Sequence, residues 1–174
     1  MGAIDKRMDE VVGEGPAGCA GGAELLLEPA GPSDLRGVME IERVSFSSPW
    51  SEKMLRAEME GNPFARFVLA RRKRDREILG YVCYWIVFDE LRIMNVAVAP
   101  LVRRRGIARL LVDHALAEGR AQRVRRMLLE VRASNEPAVS LYGRYGFIRT
   151  GVRKDYYSDP KEDAILMELN SAAE

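Results

Sequence analysis

Residues 94–109 carry the residue types that bind a phosphorylated ligand. An apolar strand over residues 94–99 is followed by a loop with three consecutive arginines and then by Gly106, where a helix is expected to begin. The first turn of a helix presents unpaired N–H groups and the positive end of the helix dipole. Gly106 and Ala108 are small enough for a ligand to approach these amides, and arginine binds phosphate oxygens in forked geometry. The pattern predicts a pyrophosphate site that comprises Arg103, Arg104, Arg105, Gly106, Ile107, Ala108 and Arg109.

These arginines have a simpler interpretation as the solvated basic face of an ordinary helix. The strand, glycine loop and helix in direct succession favour the anion site instead. Two other phosphate-binding motifs are excluded. The chain has no Gly-Lys pair, as a Walker P-loop requires, and the match to G-x-G-x-x-G at residues 13–18 lacks the strand and helix that this motif needs.

Three residues further along the chain are candidates for moving protons or holding a ligand. Glu130 lies in a strand expected over residues 127–131, between two helices, and such a strand is expected to be central in a sheet. A carboxylate there has either a chemical role or a firm partner such as Arg132, and the spacing alone does not decide between them. On the following helix, periodicity makes Tyr142 a core or rim residue, and Asn135 is a helix cap by position.

Histidine and cysteine usage excludes several other chemistries. His114 is the only histidine; it lies on the inner face of a helix expected over residues 106–121 and is predicted to be structural. A structural role for the single histidine argues against a Ser-His-Asp triad, and one histidine is too few for a His-rich metal site. Cys83 lies in the most apolar strand without a basic neighbour, which predicts an inert thiol. Cys19 is far from it in sequence, so we expect no disulfide and no metal.

The composition bounds the class of protein. A chain of 174 residues with 47% hydrophobic and 30% charged residues is typical of one globular domain. A net charge of +1 argues against a surface built for nucleic acid, although the arginines of residues 71–76 and 103–126 leave an RNA-binding module as an alternative. The longest apolar run, residues 81–88, is too short to cross a membrane, and residues 1–23 lack a secretory signal. We therefore expect a cytoplasmic protein with no membrane partner.

Periodicity and turn signals predict the elements that position these residues. Residues 1–23 hold six of the fifteen glycines and no aromatic residue, which predicts a flexible tail before a single domain over residues 24–174. The predicted order is β-α-α-β-β-β-α-β-α-β-β. Strands that alternate with helices in the second half predict an α/β (α+β) fold, with a mixed sheet of about seven strands and helices on both faces.

Several motifs together resemble a known family. The loop at residues 103–108 fits the Q/R-x-x-G-x-G/A signature of the GNAT acetyltransferases, with Ala108 at the second small position. Other motifs occur in the order found in the RimI branch of that family, the bacterial ribosomal-protein-alanine N-acetyltransferases. They are Pro49-Trp50-Ser51, Leu129-Glu130-Val131-Arg132-Ala133-Ser134-Asn135, Leu141-Tyr142, Gly146-Phe147, Tyr156-Tyr157 and Glu162-Asp163-Ala164.

This resemblance implies a GNAT fold and direct transfer of an acetyl group from acetyl-CoA to the N-terminal α-amine, usually of alanine, of a ribosomal protein. A lysine side chain or a small amine is the alternative acceptor. The resemblance also implies how the cofactor is bound. The amides of residues 104–109 would hold the pyrophosphate, and Asn135 would also contact the cofactor. The pantetheine arm and thioester would be held by Val96, Ala97 and Val98. The resemblance further implies Glu130 as general base, Tyr142 as general acid, and Trp50, Tyr156 and Tyr157, expected in loops, as walls of the acceptor groove.

Overall fold

A computed structural model describes residues 24–170 of the chain. The tail predicted over residues 1–23 and residues 171–174 of the predicted domain lie outside the described residues. Seven strands form one mixed sheet, as the sequence predicts. They are β1 (Leu25–Pro29), β2 (Ala65–Arg72), β3 (Ile78–Val87), β4 (Glu90–Val98), β5 (Arg126–Arg132), β6 (Ile148–Ser158) and β7 (Lys161–Asn170).

The order of the strands in the sheet is β1-β2-β3-β4-β5-β7-β6. All neighbouring strands are antiparallel except β4 and β5, which are parallel. Strand β5 therefore lies inside the sheet, between β4 and β7, which confirms its predicted central position.

Four helices cover the two faces of the sheet: α1 (Leu35–Ser45), α2 (Glu52–Arg56), α3 (Ile107–Ala121) and α4 (Glu136–Arg144). Helix α2 continues as a π-helical turn over Ala57–Gly61. The predicted cap is confirmed, because Asn135 Oδ1 accepts a hydrogen bond from the Ala138 amide at 3.2 Å, and Ser51 Oγ caps α2 by accepting one from the Met54 amide at 3.3 Å. Helices α1 and α2 pack on one face and α3 and α4 on the other, each pair over its own apolar core.

The structure corrects the predicted position of Tyr156 and Tyr157. Both belong to β6, which runs to Ser158 and pairs with β7 as far as the contact of Ser158 with Lys161. The register shifts between Arg153 and Tyr157, so the polar residues there lack the alternation that identifies a strand in a sequence. The prediction of a loop for these two tyrosines is therefore wrong.

Two glycines give opposite expectations for stability. A Cβ added at Gly80 would lie 2.6 Å from the main-chain oxygen of Ala97 on β4, whereas one added at Gly143 in α4 meets nothing within 4 Å. Gly80→Ala is expected to lower the free energy of unfolding by about 1–3 kcal/mol because backbone must shift. Gly143→Ala is expected to raise it by about 1 kcal/mol through helix propensity. Urea unfolding followed by circular dichroism measures both, and shifts of the same sign would contradict this interpretation.

Candidate active site

The candidate site lies where β4 and β5 part. The two strands pair from Glu90 with Arg126 to Ile93 with Leu129, and no pairing between them continues beyond that point within residues 24–170. The remainder of each strand diverges and leaves a cleft at the carboxyl ends, the usual position of ligand sites in sheets with parallel strands. Glu130 is the first residue of β5 beyond the paired region.

The N-terminus of α3 opens at the same end of β4. Gly106 is its N-cap residue, with φ 84° and ψ 0°, a left-handed conformation that favours glycine. No side chain caps this helix end. The first hydrogen bond back along the helix runs from the Leu110 amide to the Gly106 carbonyl at 2.9 Å, so the amides of Ile107, Ala108 and Arg109 precede it. This is the geometry that anion binding at a helix N-terminus requires.

Arg103 is placed differently from the prediction. Its Nε donates to the carbonyl oxygen of Val98 at 3.0 Å and its Nη2 to Ser45 Oγ at 3.2 Å, so the guanidinium joins the end of β4 to α1. Part of the hydrogen-bonding capacity of Val98, predicted to hold the pantetheine arm, is thereby used within the protein. Arg109 Nε lies 3.7 Å from Asp113 Oδ2, and the side chain of Arg104 is exposed. The charge at the helix end is therefore more dispersed than the run of arginines indicates.

Glu130 projects to the α1–α2 face of the sheet, because its neighbours Leu129 and Val131 are buried in the core under α3 and α4. Its side chain is 22% exposed, and Oε1 lies 3.0 Å from Arg153 Nη1. Arg132, the partner considered from the sequence, pairs with Glu162 instead at 3.3 Å. Arg153 is supplied by β6, 23 positions further along the chain, which sequence spacing does not reveal.

Tyr156 joins Glu130 in the cleft. A hydrogen bond from its hydroxyl group to the Glu130 carboxylate raises the pKa of Tyr156, and the Arg153 guanidinium carbon lies 4.9 Å from the centre of its ring. The predicted base and one predicted acceptor-binding residue are thus brought into contact.

Tyr142 lies on the other side of β5. It is 6% exposed within the core under α3 and α4, and its ring meets the Phe147 ring edge-on with centroids 5.7 Å apart. Burial raises the pKa of Tyr142, and the nearby Tyr157 adds to the effect. The phenol therefore keeps its proton at neutral pH, as a proton donor must.

The tip of the β6–β7 hairpin contacts the loop before α2. Ser47 Oγ donates to the carbonyl oxygen of Asp159 at 2.6 Å, and Arg132 Nη2 donates to the same oxygen at 2.9 Å. The Arg132 guanidinium also lies 4.1 Å from the centre of the Tyr157 ring, and burial is the main cause that raises the pKa of Tyr157 to about 12. The contact between Ser47 and Asp159 has no signal in the sequence, because 112 positions separate the two residues.

Glu42, which was not predicted as a site residue, is the one charged side chain among residues 24–170 that is buried, at 1% exposure. Trp50, predicted to line the acceptor groove, donates its amide to Glu42 Oε2 at 2.6 Å. A sequence signal existed, since Glu42 falls four residues after Val38 on the apolar face of α1.

Burial shifts the pKa values of Cys83 and His114 in opposite directions. Cys83 is fully buried, and burial raises the pKa of its thiol. Burial lowers the pKa of His114 below its ordinary value of 6.5, so the unfolded chain binds a proton more readily than the folded protein does. The free energy of unfolding is therefore expected to fall as the pH drops through 6.5 towards the folded-state pKa. His114→Gln should flatten this slope in urea titrations between pH 5 and 7, and an unchanged slope would contradict it.

The arginines of residues 71–76 do not form a free basic patch. Arg71 forms ion pairs with Glu28 and Asp34, and Arg76 pairs with Glu28. Arg72 pairs with Asp75 at 2.9 Å and with Glu77 at 2.7 Å. Since neighbouring carboxylates offset these charges, this cluster gives no support to the RNA-binding alternative. None of the helices within residues 24–170 has the length and hydropathy of a membrane span.

Comparison with known proteins identifies the class. The model of the acetyltransferase (GNAT) family matches residues 35–147, within which lie β4, the α3 N-terminus, Glu130 and Tyr142. The chain belongs to the GNAT acetyltransferase family and is an acyltransferase, as its motifs predict.

Relatives place it more narrowly within that family. A [ribosomal protein bS18]-alanine N-acetyltransferase from Salmonella typhimurium is 35% identical over 139 residues, which are 79% of this chain and 91% of the relative. The crystal structure of the ribosomal-protein-S18-alanine N-acetyltransferase from Escherichia coli has a TM-score of 0.78 at 31% identity, covering 86% of this chain and 96% of the other. Arabidopsis thaliana NAA60 in complex with acetyl-CoA shares the fold, with a TM-score of 0.77 at 22% identity over 86% of this chain and 99% of its own.

Proposed function

We propose that the protein acetylates the N-terminal alanine of ribosomal protein bS18 in the cytoplasm, with acetyl-CoA as the donor. The observation that carries this proposal is the position of Glu130, at the point where β4 and β5 part and facing the cleft beside Tyr156. The match to the Salmonella and Escherichia coli enzymes, which are named for this activity, supports the choice of acceptor.

The residues present fit the donor. The left-handed Gly106 and the uncapped amides that follow it would hold the pyrophosphate, with Arg104 and Arg109 adding positive charge and Asn135 a polar contact at the start of α4. Val96, Ala97 and Val98 would hold the pantetheine arm along the part of β4 that has no strand partner on the β5 side. When bound, acetyl-CoA supplies an acyl carbon activated as a thioester.

The protein's own residues then move the protons. A peptide α-amine has a pKa of about 8, so roughly a tenth is neutral at pH 7 and a carboxylate base is sufficient to complete its deprotonation. Glu130 accepts that proton on the α1–α2 face of the sheet. Tyr142, on the opposite side of β5, holds the proton that the departing thiolate needs. Transfer is direct in this proposal, because Cys83, the cysteine within residues 24–170, is fully buried and burial raises the pKa of its thiol, so it offers no acyl-enzyme route.

The acceptor would lie between the loop that holds Trp50 and the hairpin that holds Tyr156 and Tyr157. The contact of Ser47 with Asp159 joins these two segments. The free end of a chain can enter beside this contact more easily than an internal loop that carries a lysine. We therefore expect an N-terminal amine, and not a lysine side chain, as the acceptor.

A peptide assay tests the acceptor. The protein is mixed with acetyl-CoA and a peptide that begins with the bS18 alanine, and release of CoA thiol is followed with a thiol reagent. Thiol release is expected with the free N-terminus and not with the same peptide already acetylated there. Release with a blocked peptide that contains lysine would favour the lysine alternative, and release with neither peptide would overturn the proposal.

A further inference from the structure

Glu42 is a buried carboxylate that the proposed chemistry does not use. Within residues 24–170 no ion pair involves it, and all of its hydrogen-bond partners are neutral donors. Desolvation of the carboxylate raises the pKa of Glu42. An unpaired buried carboxyl group is costly to maintain, so its position requires an explanation.

The partners of Glu42 come from three separate elements. Oε1 accepts hydrogen bonds from the Tyr81 hydroxyl on β3 and from Asn95 Nδ2 on β4, the latter at 2.8 Å. Oε2 accepts the main-chain amide of Trp50 at 2.6 Å. Asn95 directly precedes the residues proposed to hold the thioester, and Trp50 lies in the proposed acceptor wall. One carboxylate therefore joins the two substrate sides of the cleft.

The segment 47–51, which we call the acceptor loop, is held from two directions. Ser47 and Ser48 donate their hydroxyls to the carbonyl oxygen of Asp159 at the hairpin tip, at 2.6 and 3.4 Å. On the other side, the Trp50 amide is held by Glu42. Without the second attachment, the hairpin contact alone would set the distance between Trp50 and β4.

We propose that Glu42 is a positioning residue, which fixes the acceptor loop against β4 so that Trp50 is held in place to bind the acceptor peptide. This inference rests on the proposed function. A carboxylate suits the task because both of its oxygens accept hydrogen bonds. A glutamine has one accepting oxygen, so its amide group would face either the Trp50 amide or the pair formed by Tyr81 and Asn95.

The test is Glu42→Gln in the full chain, assayed with the alanine peptide and acetyl-CoA. Loss of one hydrogen bond to a charged acceptor is expected to raise the KM for the peptide about tenfold. The kcat at saturating peptide and the Kd for CoA, measured by calorimetry, are expected to stay near the wild-type values. An unchanged peptide KM in the folded variant overturns the proposal.

Glu118→Gln is the matched control. Glu118 accepts a hydrogen bond from the Tyr84 hydroxyl on the α3 side of the sheet and also forms an ion pair with Arg66 at 3.3 Å, so its replacement neutralises a similar Tyr–Glu pair away from the acceptor loop. It should lower the melting temperature and leave the peptide KM unchanged, and an equal rise in KM would overturn the proposal. If Glu42→Gln does not fold, Glu42→Asp replaces it, because the shorter side chain keeps the charge but does not reach both ends of the network.

A second measurement does not depend on activity. The chain has two tryptophans, so Trp85→Phe leaves Trp50 as the only tryptophan, whose fluorescence is excited selectively at wavelengths that tyrosine does not absorb. Acrylamide quenching of Trp50 is expected to increase when Glu42→Gln is added to this background and not when Glu118→Gln is added. If wild-type protein acetylates no peptide, the proposed function fails, while the quenching result still decides whether Glu42 positions the loop. Equal quenching in all three proteins overturns the proposal.

Discussion

Replacing Glu130 with glutamine is expected to lower kcat by roughly 10²- to 10⁴-fold, the usual contribution of a general base. Glutamine keeps the shape of the side chain but accepts no proton at neutral pH. The Kd for CoA should stay unchanged, because Glu130 faces the α1–α2 side of β5 and not the α3 N-terminus. Release of CoA thiol with the alanine peptide measures the rate.

The pH dependence provides a sharper criterion. Without a base, the variant depends on amine that is already neutral, so its rate should rise steeply towards a pH of about 8, where half of a free α-amine is deprotonated. Glu90→Gln is the matched control, since Glu90 lies at the paired end of β4 and forms an ion pair with Arg126. A Glu130→Gln rate within threefold of the control at pH 7 would remove Glu130 from the mechanism.

Gly106→Asp is expected to weaken CoA binding by at least about tenfold, or 1.4 kcal/mol, beyond the effect of Gly106→Asn. Asparagine and aspartate have nearly the same shape and tolerate the left-handed conformation of Gly106 similarly. The two variants therefore differ in one negative charge, which would face the pyrophosphate at the helix N-terminus. Calorimetric titration with CoA measures both.

Salt separates this electrostatic effect from a steric one. Repulsion between the new carboxylate and the pyrophosphate is screened as ionic strength rises, because the Debye length falls from about 10 Å at 0.1 M to 3 Å at 1 M. The difference in the Kd for CoA between Gly106→Asp and Gly106→Asn should therefore become smaller as salt is added. Equal Kd values for both at low salt would show that no anion lies at Gly106.

The fold was largely predictable because its signals are local. Alternation and period identified each strand and helix, and Asn135 could be assigned as a cap from its position. The β6 strand was underestimated because the register shift before Tyr157 breaks the alternation. Sequence patterns report the period of an element, and a bulge interrupts that period without ending the strand.

The partners within the site were not predictable, because they come from distant parts of the chain. Arg153 pairs with Glu130 across the sheet, Arg103 turns back to Val98, and Ser47 meets Asp159. Residue type shows that a carboxylate or guanidinium can form such a contact. Only the three-dimensional arrangement shows which of several candidates is within reach.

The separation of β4 from β5 leaves an open edge in the middle of the sheet rather than at its periphery. Exposed strand edges pair with other extended chains. The pantetheine arm of the proposed donor contains amide groups and would occupy the open edge of β4. Donor binding and folding stability are then linked. At a CoA concentration of 100 times Kd, the ligand adds about 2.7 kcal/mol to the free energy of unfolding, so cellular acetyl-CoA would protect the enzyme from aggregation as well as supply its substrate.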